Sequence, residues 1–373
     1  MSVEIIEVKT TAQIKDFAKF PFSLYKGNAY WVPPIIKDEI KSTNPTENPA
    51  MEYCDSQFWL AKQGGKIVGR IGAIINHKYN EKVNEKLGRF SRLEFIDNPE
   101  VFTSLMDTAI LWLKDKGMIK AHGPLGFSNL DTQGMLIEGF DHLQSVASVY
   151  HLPYYKKYMD NYGFEKENDW VEFRLTLGEK ARNKANRGAA LIKKRYGFEV
   201  KTFEKSEEMR PYVKDLFGIL NKAFVNLPYV TPFNDKMVAL YAEKYFKVIN
   251  PKFVRMVTKD DEVIGFLVAV PSLSEAMQKA NGKLFPLGFV HILNAMKKPK
   301  VLDFFLTGVK PEYDNSGVAV ILFAEIQDEM MSAGIDQMET TGIFEGNHNV
   351  ISNWKNYEHI QHKRRRCFVK AID

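Results

Sequence analysis

Cysteine is almost absent: the 373-residue chain has two, Cys54 and Cys367, far apart in sequence. Neither a disulfide framework nor a cysteine-based metal site is expected, and a reducing cytoplasm is the default compartment. Long apolar runs are missing too. The longest, such as residues 263–270, fall far short of the roughly 20 residues a membrane-spanning helix needs. The N-terminal stretch MSVEIIEVKTTAQIKD has no basic start followed by an apolar core, so no signal peptide is expected. Charge of one sign is scarce; a net charge of +5 neither demands nor excludes an anionic ligand. No Walker loop, His-Glu-x-x-His or Gly-x-Ser-x-Gly occurs, which removes the commonest P-loop, zincin and hydrolase chemistries. The eight histidines are scattered. His359 and His362 could share a helix face, but no cysteine pair joins them, so no metal is expected. No repeat of letters is visible.

What is present is globular: 45% hydrophobic against 26% charged residues, over a length that accommodates two domains. A strand at 3–8 leads into a helix that Thr10 or Thr11 caps and Gly27 stops. Residues 28–54, rich in Pro and Asn, read as an irregular covering loop. A hairpin follows, turning at Gln63-Gly64-Gly65. Then come a strand at 89–95, a helix at 99–116 and a strand ending at 122–127. An aromatic helix at 154–161 and a strand at 169–177 close the first half. The basic stretch 178–195 reads as a linker helix. The second half repeats the order: a strand at 198–203, helices at 206–224 and 234–248, and a hairpin turning at Lys259-Asp260-Asp261. An insertion at 273–298, basic and partly helical, suits a lid facing a substrate or partner. A strand at 337–341, a helix at 347–357 and a strand at 366–371 end the chain. The run Lys363-Arg364-Arg365-Arg366 reads as a solvated strand entry or as a contact for phosphates or an acidic substrate.

The most informative stretch is 301–334. Residues 301–309 are apolar and β-prone, with one internal charge at Asp303. Residues 310–317 form a turn-rich loop, and from Val318 the apolar residues Ile321, Leu322, Ile326 and Met330 recur at helical spacing, closed by Gly334. A small-residue loop opening a helix after a strand aims unpaired N–H groups, and the helix dipole, at one point. That point suits a pyrophosphate.

This strand-loop-helix resembles the GNAT superfamily of acyl-CoA N-acyltransferases, whose loop has the form Arg/Gln-x-x-Gly-x-Gly/Ala. Gly317 and Ala319 match; Asp314 departs, standing where the family has a cation or an amide. The first half resembles a GNAT domain without that loop, since Asp97-Asn98-Pro99 stands in its place. The resemblance implies a mixed α/β fold of two tandem GNAT-like domains, a degenerate one at 1–177 and one at 178–373 that binds coenzyme A. It implies acetyl-CoA or another acyl-CoA as co-substrate, held by Leu306, Thr307, Val309, Asn315, Ser316, Gly317, Val318 and Ala319. It implies direct acyl transfer to the amine of a small molecule or peptide, with Glu339 as base, Glu345 as its understudy and Tyr357 as acid. Trp354 occupies the position where the family's spacing from Asn347 has a tyrosine. No membrane partner is expected. Tandem domains also occur in Fem peptidyl transferases, so an aminoacyl-tRNA donor remains an alternative. That is the one reading that brings in nucleic acid. A non-catalytic CoA-binding or structural protein is the other alternative.

Overall fold

The computed structural model describes residues 2–246 and 249–372. Two compact units divide the chain: Met1–Val171, Ser274–His291 and His362–Asp373 form one, Glu172–Leu273 and Ile292–Gln361 the other.

The first unit begins with β1 (Glu4–Glu7) and α1 (Thr11–Leu24). The Thr10 hydroxyl accepts from Gln13 N–H at 3.2 Å while Gln13 Oε1 accepts from Thr10 N–H at 2.8 Å. This is a reciprocal capping box. Residues 28–54 are not wholly irregular, because they contain α2 (Ile36–Thr43). Asp38 and Glu39 in its first turn and Lys41 in its last suit the helix dipole, a signal masked by the surrounding Pro and Asn. β2 (Cys54–Gln63) and β3 (Lys66–Asn76) form the expected hairpin. Gly64 and Gly65 at its turn both have positive φ, as tight hairpins require. After α3 (His77–Val83), β4 (Leu87–Phe95) is buried throughout. α4 (Pro99–Asp115) buries Val101, Leu105, Ala109 and Leu113 in the main core, where each large aliphatic side chain contributes about 1.5–3 kcal/mol. β5 (Lys120–Gly123), β6 (Met135–Glu138), α5 (Tyr155–Asn161) and β7 (Glu165–Thr176) follow. The sheet runs β1-β2-β3-β4-β5, antiparallel except for the parallel β4–β5 pair that α4 connects.

The second unit opens with α6 (Glu179–Tyr196), which is not a linker. It packs along the later helix α11: Arg182 Nε donates to Asp328 at 2.6 Å and Lys193 Nζ to Glu325 at 2.7 Å. Its basic residues thus answer acidic residues more than 100 positions away, which a local reading cannot pair. β8 (Glu199–Lys201), a 3₁₀ turn, α7 (Val213–Ala223) and α8 (Asp235–Phe246) lead to the hairpin β9 (Val254–Lys259) and β10 (Glu262–Pro271). The insertion supplies α9 (Ser274–Ala280), which belongs to the first unit, and α10 (Gly288–Lys297), which begins in the first unit and ends in the second. Then come β11 (Val301–Val309), α11 (Val318–Ser332), β12 (Gln337–Thr340) and the short β13 (Ile343–Phe344). Within this unit the sheet runs β7-β12-β11-β10-β9-β8, with β11 and β12 parallel.

Two expectations near the C-terminus are corrected. The helix at 347–357 is only α12 (His348–Ile351), continued by a 3₁₀ turn at Ser352–Asn356. The last strand, β14 (Glu358–Ala371), starts eight residues earlier than its apolar end implied, so His359 and His362 lie on a strand and not on a helix. The basic run inside β14 is not a solvated strand entry. Lys363 Nζ donates to the Leu143 carbonyl at 2.6 Å, and Arg365 donates to the Gln133 carbonyl. Arg364 and Arg366 both bind the buried Asp169, at 3.0 and 2.8 Å. Four cations in a row looked solvent-directed because their acceptors are carbonyls and carboxylates distant in sequence.

Candidate functional site

β11 is paired on both sides only at its start. Residues 301–304 run parallel to 337–340 of β12, and the pairing ends at Phe304 opposite Thr340. Across the strand, Val268 faces Leu306 while the next residue, Ala269, faces Phe304. Phe305 is therefore the extra residue of a β-bulge, and bulges end or redirect pairing. The bulge coincides with the point where β11 parts from β12. Beyond it, Leu306, Thr307 and Val309 lie on a length of strand whose β12 side has no strand partner among the described residues. Such an edge can hydrogen-bond an extended, amide-bearing ligand.

The loop that follows leads from this edge into α11. Tyr313 N–H donates to Lys310 O, Asp314 N–H to Pro311 O and Ser316 N–H to Tyr313 O, at 2.8–3.3 Å. Gly317, with φ +87°, then turns the chain into the helix, and no side chain caps it. That φ favours glycine, and an added Cβ would lie 2.6 Å from Ile192 Cδ1, so the Ile192 side chain would have to shift. Of the five expected phosphate-binding amides, that of Ser316 is committed to the turn. Those of Asn315, Gly317, Val318 and Ala319 have no hydrogen-bond partner among the described residues. Asp314, Asn315 and Ala319 are exposed at the mouth. The N-terminus of α4 in the first unit is closed by comparison. Asn98 Oδ1 accepts from the N–H groups of Glu100 and Val101 at 2.9 and 3.4 Å, and Pro99 has no N–H to offer.

Polar side chains line up across three strands. Asp303, Glu339 and Arg174 are register partners on β11, β12 and β7, so they share one face of the sheet. Asp303 and Glu339 are buried, and Arg174 donates to Glu339 Oε1 from Nε at 2.9 Å and from Nη2 at 2.5 Å. Arg174 and Asp303 were not singled out from the sequence as site residues; the charge interrupting the apolar run at 301–309 was the available signal. Glu345 is half-buried in the turn between β13 and α12. Tyr357 packs edge-on to Phe323 and donates its hydroxyl to Gln327 of α11 at 3.2 Å. Burial pushes its phenol up to about 12, so it stays protonated through the neutral range. Trp354 is buried against Phe304 and Phe323. An apolar groove of about 50 Å³ lies between α7 and α8, lined by Leu216, Leu220, Tyr241, Tyr245 and Phe266, and it reaches Leu306 beside the bulge.

The first unit holds two buried polar clusters. Burial pushes the Glu94 carboxyl up to about 7 despite Arg70, and it accepts from the hydroxyls of Tyr25 and Tyr155 at 2.5 and 2.7 Å. Beside it Arg92 has φ +48° within β4 and binds Glu39 and Asp131. The donor atoms of His122, Glu167 and Cys367 lie within 4.8 Å of one another and could hold a metal. Without one, His122 Nδ1 and Cys367 Sγ both contact Glu167 Oε2, at 3.3 and 3.2 Å. Burial depresses the His122 pKa despite the opposing Glu167 carboxylate, so its imidazole is held neutral.

No protein-family model matches the chain. It is 26% identical to Protein YghO of Escherichia coli over 370 residues, 96% of this chain and 93% of the relative. It is 27% identical to the bacterial ceramide synthase of Caulobacter vibrioides over 388 residues, 99% of this chain and 98% of the relative. Among solved structures it is similar to a tandem GNAT protein from the clavulanic acid biosynthesis pathway, with TM-score 0.57 and 11% identity, covering 100% of this chain and 99% of that one. It is also similar to a probable N-acyltransferase from Enterococcus faecalis, with TM-score 0.53 and 5% identity, over 100% of this chain and 73% of that one. The fold is that of the tandem GNAT proteins.

Proposed function

We propose that the protein is an acyl-CoA-dependent N-acyltransferase. Residues 178–373 hold the donor, and residues 1–177 bind no nucleotide. One observation carries this reading: an uncapped helix N-terminus with four available amides stands directly after a strand edge that has lost its partner. The amides of Asn315, Gly317, Val318 and Ala319 would hold the pyrophosphate, and the edge at Leu306, Thr307 and Val309 the pantetheine. Coenzyme A would supply the acyl group as an activated thioester. The new C–N bond forms as the C–S bond breaks. Glu339, directly or through water, takes the proton that an ammonium acceptor must lose. Tyr357, the nearest hydroxyl in the expected region, remains the candidate for protonating the departing thiolate. The acceptor is an amine, and the similarity to a ceramide synthase makes a long-chain lipid amine the first to assay. The apolar groove beside Leu306, about 50 Å³, suits a small apolar group next to the reacting carbonyl.

The cradle is testable away from the packing around Gly317. Ala319 is exposed, and Ala319→Glu places an anion at the mouth while leaving Gly317 in place. It is expected to weaken CoA binding tenfold or more in calorimetry, and to remove the rise in melting temperature that CoA gives the parent. Undiminished binding would remove CoA from this loop.

A further inference from the structure

We propose that the loop between α9 and α10, with the start of α10, docks the protein onto an anionic lipid surface. Leu284, Phe285, Leu287, Phe289 and Val290 are all exposed, Phe285 at 75% and Leu287 at 64%, and Leu293 extends the apolar surface along α10. Large apolar side chains concentrated in this way on a surface mark an interaction site.

The loop is held rigidly outward. Ile36 N–H donates to Gly282 O at 3.0 Å, and Gln278 Nε2 donates to the carbonyls of Ala29 and Trp31 at 2.9 and 3.0 Å. Phe289 N–H closes back on Leu284 O at 2.7 Å. Gly282, at φ +77°, sits where a Cβ would lie 2.5 Å from Phe22, and at Gly288 one would lie 2.0 Å from Lys283 O. The apolar tip is therefore presented by its base and does not collapse onto it.

Charge decides between a lipid and a protein occupant. Between Glu275 and Asp303 the sequence has no carboxylate, while Lys279, Lys283, Lys297, Lys298 and Lys300 are all present. All five are exposed, and none makes an ion pair among the described residues. Lysine is depleted at protein interfaces, whereas a convex tip of Phe and Leu flanked by lysines matches the acyl boundary and the anionic headgroups of a bilayer. The expectation of no membrane partner rested on the absence of spanning segments. Among the described residues no helix is long and apolar enough to cross a membrane, and surface docking requires none.

The test uses the full chain and vesicles of phosphatidylcholine alone or with phosphatidylglycerol, by flotation, with no acyl donor or acceptor. Its outcome is thus separate from that of the proposed acyltransfer. Phosphatidylglycerol vesicles are expected to bind the parent at least tenfold more tightly than neutral ones, with affinity falling as salt rises. Phe285→Ser combined with Leu287→Ser is expected to lose at least tenfold, with its melting temperature unchanged because both side chains are exposed. Lys279→Gln with Lys283→Gln should weaken binding and flatten the salt dependence. Equal binding by the parent and the Phe285/Leu287 variant, or no vesicle binding by the parent, overturns the proposal. A dimer in sedimentation that the same variant dissolves would also overturn it, assigning the patch to a second copy of the chain.

Discussion

Glu339 is the base of the proposed mechanism, and Arg174 gives it a definite setting. The Arg174 guanidinium on Oε1 fixes its rotamer. Below neutral pH an amine acceptor is almost wholly ammonium, so a base is needed most there. Glu339→Gln keeps the shape and can still accept from Arg174, but it cannot take the proton. Its turnover is expected to drop about 10²-fold or more at pH 6 and by less at pH 9, where more amine is already neutral. The KM for acyl-CoA should stay near the parent value, since the carboxylate faces the acceptor and not the pyrophosphate. Equal turnover in variant and parent across that range would take Glu339 out of the mechanism. Asp314, the departure from the family's loop, is exposed at the mouth of the cradle. The amides that form the cradle are backbone groups, so an unfavourable side chain beside them need not close it.

At the scale of elements, β11 is organised by one irregularity. The bulge at Phe305 lets Phe304 stack on Phe323 of α11 while Phe305 packs on Tyr245 of α8 and Leu306 lines the groove. The groove therefore opens next to the strand edge where the thioester would lie. Leu216 is half-buried on its wall, so Leu216→Trp fills it from the side without rebuilding the core. The kcat/KM ratio of butyryl-CoA to acetyl-CoA is expected to fall about tenfold, in line with what steric pockets achieve. An unchanged ratio would mean that the acyl chain lies elsewhere. Much of this architecture was legible in the sequence because its signals are local. The Gly64-Gly65 turn, the Thr10 cap, Gly317 before an amphipathic helix and Gly334 after it each depend on neighbouring residues only. What stayed hidden depends on distance in sequence. The partners of α6 lie on α11, the acceptors of Lys363 and Arg365 are the carbonyls of Leu143 and Gln133, and Arg174 meets Glu339 only through strand register. A bulge leaves no letter of its own, so the parting of β11 from β12 could be expected only through resemblance.

For the whole molecule, the informative comparison is between two units built on the same plan and finished differently. Each has a parallel strand pair joined by a helix, β4-α4-β5 and β11-α11-β12, and in each the pairing covers only the first few residues, 87–89 with 120–122 and 301–304 with 337–340. The difference lies in the first turn of the connecting helix. In α4, Asn98 and Pro99 leave few donors, and Glu100 adds a negative charge where an anion would sit. In α11 there is no cap, no acidic residue in the first turn and a left-handed glycine. The proposed phosphate site is made of backbone donors in the first turn, so the chain should carry one nucleotide site and not two. Calorimetric titration of the full chain with CoA is expected to saturate at about one equivalent. Ala319→Glu should abolish that heat, whereas Glu100→Gln should leave both stoichiometry and affinity unchanged. Two equivalents, or one equivalent that survives Ala319→Glu and responds to Glu100→Gln, would move the donor site to the first unit and reverse the roles assigned to the two halves.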